Sequence, residues 1–278
     1  MTAVSVAVTL DDMAATAETP FAVLRRAERL TIAGDWHGDA GWGRHVIDHA
    51  AQHDGPRIIV QLGDFGVWPG NAGRHYLDKV ARYLEAADAI CLFLDGNHED
   101  FPQLLDYPLG ADGLRIVRPR LFHVPRGTRW TWGELTMLTV GGATSLDRPL
   151  RRPMRDWWPH EELTRTDIDR ATQGGRCDVM LAHDAPAGID VPNLPPPGTW
   201  DLDEVQRADD HRQRLLEIVE QVRPRALFHG HFHTRYEATL RLTDGHTVDV
   251  TGLANEWTGT DGFIDVDRSA LHDAVAAT

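Results

Sequence analysis

The stretch AICLFLDGNH (residues 89–98) places six apolar residues directly before a polar turn. A continuous apolar run of this length that ends in a Gly-containing turn is typical of a strand buried in a sheet. Asn97 and His98 follow the run at the point where the strand would end. The stretch therefore predicts a buried strand that carries polar side chains to its carboxyl end.

The same pattern occurs four more times along the chain. The runs are RLTIAGD (29–35), RIIVQLGD (57–64), DVMLAHD (178–184) and RALFHGH (225–231). Helix-type stretches separate them at about 42–53, 70–87 and 201–222. Strands that alternate with helices in this way are typical of an α/β fold.

The remaining β-type segments favour a second sheet. We expect short strands within 114–142, a hairpin over 236–250 that turns at Asp244-Gly245, and a last strand at 262–267. An Asp-Gly pair between two alternating runs is a common hairpin signal. The predicted fold is therefore an α/β, two-sheet β-sandwich flanked by α-helices. We expect residues 29–278 to form a single domain, and residues 1–28 an N-terminal extension that is disordered in part and ends in a short helix over FAVLRRAERL (21–30).

Charge and composition exclude several classes of protein. The formal net charge of −14 disfavours binding to duplex DNA or to an anionic membrane, because the surface repels polyanions. No apolar run approaches the ~20 residues that cross a bilayer, and the N-terminus lacks the basic region of a signal peptide. Cys91 and Cys177 could pair, but both lie in or beside apolar stretches, which favours reduced core thiols. We therefore expect a cytoplasmic protein.

Residues able to bind metals or transfer protons follow all five strand-type runs. Ligands gather beyond the carboxyl ends of strands in α/β sheets, so these side chains are expected to converge. A single Asp-x-His or Gly-His-x-His is more often a turn or a hydrogen-bonded loop, but five such ends together predict a metal centre. The residues are Asp35, His37, Asp64, Asn97, His98, His183, His231 and His233.

The five strand ends resemble the signature blocks of the calcineurin-like metallophosphoesterase superfamily. The blocks are GDWHG (34–38), LGDFG (62–66), DGNHE (95–99), LAHD (181–184) and HGHFH (229–233). The resemblance spans roughly residues 29–235. It implies a β-sandwich flanked by helices, with a two-metal site at one edge.

By position, the resemblance also implies the ligand sets. One metal would be held by Asp35, His37, Asp64 and His233, and the other by Asp64, Asn97, His183 and His231, so that Asp64 bridges the two. His98 would be the catalytic residue that stabilises the phosphate or protonates the leaving oxygen, and His229 would be structural. Mixed imidazole and carboxylate ligands suit two divalent transition-metal ions, with Mn preferred and Fe, Zn, Co or Ni possible.

The function implied is a dinuclear metal-dependent phosphoesterase. It would hydrolyse a phosphodiester or phosphomonoester bond by attack of a hydroxide that bridges the metals. The alternative is a non-catalytic scaffold of the same fold that binds a protein partner. The substrate would be a phosphate-ester small molecule, a nucleotide or a short single-stranded nucleic acid, and the sequence leaves the oligomeric state open.

Two features are particular to this chain. Many relatives place a carboxylate or histidine that orients the equivalent of His98 at the position of Val67, so Glu99, Asp100 or a distant residue must take this part. The insertion at 142–162 is rich in Arg and Trp, which could bind a phosphate and a base or could form a solvated loop. Within it, Arg148 is the predicted substrate-binding residue.

Overall fold

Two six-stranded sheets form the centre of the chain in the computed structural model, which describes residues 18–196 and 198–276. The helices are α1 (Pro20–Arg26), α2 (Ala40–Ala50), α3 (Gly70–Ala86), α4 (Phe101–Asp106), α5 (Arg165–Thr172), α6 (Leu202–Val222) and α7 (Arg268–Ala276). The strands are β1 (Arg29–Ala33), β2 (Arg57–Gln61), β3 (Ala89–Phe93), β4 (Arg115–Arg118), β5 (Leu121–His123), β6 (Arg129–Trp132), β7 (Leu135–Val140), β8 (Val179–Ala182), β9 (Ala226–His229), β10 (Tyr236–Arg241), β11 (Thr247–Gly252) and β12 (Phe263–Asp267).

Each sheet has a parallel centre and antiparallel edges. The first sheet has the order β12-β1-β2-β3-β5-β4, and the second has the order β10-β11-β9-β8-β7-β6. In the first, β1, β2, β3 and β5 are parallel, while β12 and β4 pair antiparallel with their neighbours. The second repeats this plan, with β10 and β6 as the antiparallel edges. The carboxyl ends of the parallel strands therefore lie together at one end of each sheet.

Alternation along the strands explains why the sheets stack and why helices cover them. In β2, Ile58 and Val60 point into the core between the sheets, whereas Ile59 points to the core beneath α2 and α3. Phe228 enters the same central core from the second sheet, while Leu227 faces the helices on the far side. Strands buried on both faces read as continuous apolar runs, as the sequence does. The predicted sandwich flanked by helices is confirmed.

The first described helix belongs to this core. Phe21 of α1 stacks on Trp130 with ring centroids 5.3 Å apart, and Leu24 is fully buried. The indole Nε1–H of Trp132 donates to the carbonyl oxygen of Ala27 at 2.7 Å, which fixes the end of the helix. The short helix predicted near residue 21 is thus present at Pro20–Arg26. The predicted partial disorder of residues 1–28 largely concerns residues 1–17, which lie outside the described part of the chain.

Other predicted elements agree with the structure within a few residues. The hairpin turns where expected, since Gly245 has a φ of 91° between β10 and β11. Cys91 and Cys177 are free and buried, as the composition favoured. Within the described residues no helix is long and apolar enough to span a membrane.

Candidate metal centre

The seven predicted metal ligands lie together where the parallel strands of both sheets end. A polar residue after a parallel strand must leave the sheet at its carboxyl edge, and the two sheets present these edges to each other. Asp35 and His37 follow β1, Asp64 follows β2, Asn97 follows β3, His183 follows β8, and His231 and His233 follow β9.

Asp35, His37 and His233 form a first group of possible ligands. Their donor atoms all lie within 4.8 Å of one another. Nε2 of His233 is 3.1 Å from Oδ2 of Asp35, and Nε2 of His37 is 3.7 Å from the same oxygen. The two imidazoles meet edge to face at 4.8 Å between ring centroids. All three residues belong to the first predicted ligand set.

Asp35, Asp64 and His183 form a second group of the same kind, and all three are buried. Nε2 of His183 lies 3.6 Å from Oδ1 of Asp64 and 3.1 Å from Oδ1 of Asn97. The His231 ring lies beside His183, with centroids 5.1 Å apart.

Asp64 belongs to the second group and also faces the first, while Asp35 is a member of both. Oδ1 of Asp64 faces His183, while its Oδ2 is 3.5 Å from Nε2 of His37. One carboxylate oxygen is thus directed at each group, which is the geometry a bridging ligand requires.

Four of these residues have a left-handed backbone. The φ angles are 42° at His37, 52° at Asp64, 68° at His231 and 54° at His233. This region is sparsely populated for residues with a Cβ, and such strain concentrates at functional sites. These residues follow β1, β2 and β9, so the unusual backbone lies where the chain leaves the sheets.

The part of the chain that carries these residues matches a known protein family. The sequence matches the profile of the calcineurin-like phosphoesterases over residues 28–235, about three quarters of the chain. The chain belongs to the calcineurin-like phosphoesterase family. The resemblance inferred from the five blocks is confirmed.

Individual relatives of this phosphoesterase are distant. A lariat debranching enzyme of Schizosaccharomyces pombe is 23% identical over 229 residues, which span 78% of this chain and 45% of the debranching enzyme. A 5′-nucleotidase precursor from Thermus thermophilus has a TM-score of 0.45 at 14% identity and aligns over 90% of this chain and 57% of its own. The sulfate thiohydrolase SoxB from the same genus aligns with a TM-score of 0.40 at 13% identity, over 84% and 40% of the two chains. The phosphoesterase thus spans less than half the length of the curated relative it matches.

The electrostatics of the site favour bound cations. Within the described residues, no lysine or arginine forms an ion pair with Asp35 or Asp64, although both are buried. Burial opposes ionisation, yet the positive charge of His183 keeps the pKa of Asp64 well below its usual range. Against the same burial, the hydrogen bond to Asp64 and the charge of Asp35 raise the pKa of His37 to about 10. Two buried carboxylates whose only cationic neighbours are imidazoles fit a site for divalent metal.

Two imidazoles are oriented by partners outside the ligand set. Nδ1 of His183 donates to the carbonyl oxygen of Leu62 at 2.8 Å, so its Nε2 is the nitrogen left to face Asp64. Nδ1 of His37 lies 2.8 Å from Oε2 of Glu256, which directs Nε2 of His37 at the carboxylates. Ligating histidines in metalloproteins are held in this way by an acceptor on the second nitrogen. The donor set therefore fits metal in chemistry and in tautomer.

Glu256 is a residue that sequence reasoning missed. It lies in the loop after β11, outside the matched region, and 219 positions from His37. The neighbouring Trp257 donates from Nε1 to Oδ2 of Asp39, the N-cap residue of α2, at 2.8 Å. The two bonds attach this loop to the segment that carries His37. A sequence signal was absent, because a lone glutamate in a loop resembles any solvated one.

His229 has the structural place that its position implied. It is buried, and Nε2 lies 2.6 Å from the hydroxyl of Tyr236, while Nδ1 bonds the carbonyl oxygen of Gly230 at 2.9 Å. Burial lowers the pKa of His229 to about 4, so the ring is neutral. Both nitrogens are therefore occupied within the protein.

The predicted partners of His98 have other roles. The fully buried carboxylate of Glu99 accepts from the backbone N–H groups of Phe65 at 2.7 Å and Val67 at 2.6 Å, and so supports the loop that carries Asp64. Asp100 caps α4. In the part of the chain described, no carboxylate forms a hydrogen bond with the His98 ring. The ring instead faces a cleft, while its backbone N–H donates to Oδ1 of Asp64 at 2.8 Å.

The cleft beside His98 has a volume of about 290 Å³. It is lined by His37, Trp68, Pro69, His98, Asp100, Arg151, Arg155, Asp156 and Trp158. The insertion at 142–162 thus contributes Arg151, Arg155, Asp156 and Trp158 to the lining of the cleft. Arg148, the predicted substrate-binding residue, is placed elsewhere. Its Nε lies 2.9 Å from Oε2 of Glu204 on α6, and its guanidinium packs 5.6 Å from the Trp157 ring.

His49, His53 and Asp265 also have metal-ligand spacing, away from the centre. Nε2 of His49 and Nε2 of His53 lie 2.8 and 2.9 Å from Oδ2 of Asp265, and Thr31 donates to Oδ1 at 2.8 Å. Nη1 of Arg29 lies 3.0 Å from Nδ1 of His53. Because a guanidinium can only donate, Nδ1 of His53 accepts and its Nε2 carries a proton to Asp265. The group is a hydrogen-bonded network that joins α2 to β12.

Proposed function

We propose that this chain is a dinuclear metal-dependent phosphoesterase that hydrolyses a phosphodiester or phosphomonoester bond. The observation that carries the proposal is the position of Asp64, with one carboxylate oxygen toward each of the two groups of possible ligands. A pair of divalent transition-metal ions, with Mn preferred, matches the mixed imidazole and carboxylate donors.

Each ligand has a definite part in this proposal. Asp35, His37, Asp64 and His233 would hold one ion, and Asp64, Asn97, His183 and His231 the other. Bound there, the ions would offset the charge of a phosphate and activate water. Burial lowers the pKa of His231 to about 4, so the ring is neutral and free to act as a ligand. Glu256 and the Leu62 carbonyl would hold two of the imidazoles in place.

His98 is the residue proposed to act on the substrate. Its ring lines the cleft, and the bond from its N–H to Asp64 fixes its backbone beside the metal groups. From there the imidazole can stabilise charge on the phosphate or protonate the leaving oxygen. The proposed substrates are small phosphate esters, nucleotides or short single strands, since the net charge of −14 repels long polyanions. The cytoplasmic location stays a prediction.

Hydrolysis of bis-p-nitrophenyl phosphate and p-nitrophenyl phosphate tests the proposal. Protein loaded with Mn is compared with EDTA-treated protein and with Asp64→Asn, and Asp48→Asn is the matched control because that carboxylate is exposed on α2. We expect Mn-dependent hydrolysis that Asp64→Asn lowers more than about 100-fold, since several kcal/mol of metal stabilisation are lost. Asp48→Asn should have the activity of the original chain.

The same experiment separates the enzyme from the rival scaffold. A scaffold would hydrolyse neither ester with any metal, and Asp64→Asn would not alter its binding to a protein partner. Hydrolysis of neither ester with any of the metals would overturn the proposed activity.

A further inference from the structure

The cleft beside the metal centre is lined by side chains from separate parts of the chain. Trp68 and Pro69 directly precede α3, while Arg151, Arg155, Asp156 and Trp158 belong to the insertion. Its volume of about 290 Å³ lies at the lower end of small-molecule sites, which run from about 300 to 1,000 Å³. A cleft of this size accommodates one nucleoside-sized group rather than a folded macromolecule.

Arg155 is the arginine of the insertion that is left for a ligand. The other three are already paired: Arg148 with Glu204, Arg151 with Ser145 and Asp147, and Arg152 with Asp156. Across residues 18–196 and 198–276, the Arg155 guanidinium has no hydrogen-bonded or ion-paired partner. An unpaired guanidinium in a cleft can form a bidentate contact with a phosphate.

Trp68 supplies an aromatic face at a fixed place. Trp68 is 38% exposed, whereas most of the other tryptophans are buried. The ring lies against the backbone of Gly38, where a Cβ would come within 2.8 Å of it. Gly38 directly follows His37, so the indole is held one residue from the metal groups. An exposed indole held in this way can stack on a nucleobase.

We propose that the cleft selects a short oligonucleotide in which the nucleoside next to the scissile phosphodiester carries a further phosphate. The base stacks on Trp68, and the second phosphate binds Arg155. This inference rests on the proposed function for the position of the scissile phosphate. The negative charge of the chain and the size of the cleft restrict the substrate to short single strands.

Dinucleotides with and without a terminal phosphate test the proposal. The Mn-loaded protein is given adenylyl-adenosine, and the same dinucleotide phosphorylated at its 5′ or at its 3′ end. We expect kcat/KM to be about tenfold higher for one of the phosphorylated forms, as a charge-assisted contact with an exposed arginine provides. Arg155→Ala should remove this preference, and Arg155→Lys should keep part of it.

Two controls isolate the role of Arg155. Arg152→Ala removes a nearby arginine of the same insertion that is paired with Asp156, and it should keep the tenfold preference. On bis-p-nitrophenyl phosphate, which lacks a second phosphate, Arg152→Ala should have the activity of the original chain. Equal kcat/KM for all three dinucleotides, or loss of the preference in Arg152→Ala, would overturn the inference and leave the proposed function standing.

Binding to the EDTA-treated protein distinguishes the two failures. Calorimetry with the same dinucleotides should give a Kd about tenfold lower for the preferred phosphorylated form, and Trp68→Ala should raise Kd for all three. If no ester is hydrolysed, the proposed activity fails, and this binding series alone decides the cleft assignment. Equal Kd values for phosphorylated and unphosphorylated forms would refute it.

Discussion

Removal of the Glu256 carboxylate should weaken metal binding without touching a ligand. In Glu256→Ala, Nδ1 of His37 loses the acceptor at 2.8 Å that directs its Nε2 toward Asp35 and Asp64. A hydrogen bond between a charged and a polar group contributes about 1.5–3 kcal/mol. Glu256 is 24% exposed, so the lower end of this range applies. That end corresponds to an affinity about tenfold weaker.

Titration of Mn into EDTA-treated protein by calorimetry measures this effect. We expect the ion held by His37 to lose about tenfold in affinity in Glu256→Ala, within the 10- to 100-fold range typical of such partners. Glu256→Gln keeps an acceptor but loses the charge, so its affinity should fall between the two. The ion held by His183 should bind as before.

Glu237→Ala is the matched control, because Glu237 is 78% exposed on β10 and forms an ion pair with Arg235. It should bind both ions with the original affinities. Unchanged affinities in Glu256→Ala, at an unchanged melting temperature, would show that Glu256 does not orient His37 as a ligand. An equal loss in the control would show that general surface charge is the cause.

Three further outcomes are expected. His98→Asn should lower kcat of the Mn-loaded protein by about 10²- to 10³-fold, as loss of a proton donor does. The Mn affinity measured by calorimetry should stay unchanged. An unchanged kcat would exclude His98 from the reaction. Arg126→Met should lower the free energy of unfolding, measured in urea, by about 3–5 kcal/mol, because it leaves the buried Asp95 carboxylate without its guanidinium partner. A change below about 1 kcal/mol would contradict this expectation. Burial opposes ionisation of Asp265, but the hydrogen bond from His49 holds the pKa of this carboxyl below its ordinary 3.8. The ionised carboxylate therefore contributes its full stabilisation above pH 3.8, and this contribution is lost as the pH falls further. Asp265→Asn should therefore show a shallower loss of stability than the original chain as the pH falls below 3.8 in urea unfolding, and equal slopes would refute the assignment.

The positions of the proposed ligands could be predicted because each depends on local sequence. An apolar run fixes a strand, and the polar residue after it must leave at the carboxyl edge of the sheet. Asp64 and His183 are therefore placed by rules that act over a few residues. Their convergence then follows from parallel pairing, which the alternation of strands and helices already indicates.

The residues around the ligands depend on contacts that no local pattern contains. Arg148 was the nearest arginine to a strand end, but Glu204 on α6 captures it from 56 positions away. The Arg155 guanidinium is available to the cleft because the other arginines of the insertion are paired with other residues. The same holds for Glu256, whose contact with His37 exists because β12 returns to pair with β1. Tertiary packing decides which arginine or glutamate lies at the site. The sequence therefore predicts the residue types but not the individual residues.

The pairing of β1 with β12 also sets the order in which a growing chain can complete the protein. Arg29 and Asp267 are partners across 238 positions, and β9 lies between β8 and the later strand β11. Synthesis delivers residues at about 5–20 per second, so the strands that carry Asp35 and His231 emerge seconds before their last neighbours. A ribosome-bound chain that stops after residue 235 would hold every ligand but neither β12 nor Glu256. We therefore expect stable metal loading only after β12 has emerged and paired with β1, and until then aggregation through the unpaired edge of β1 competes with it.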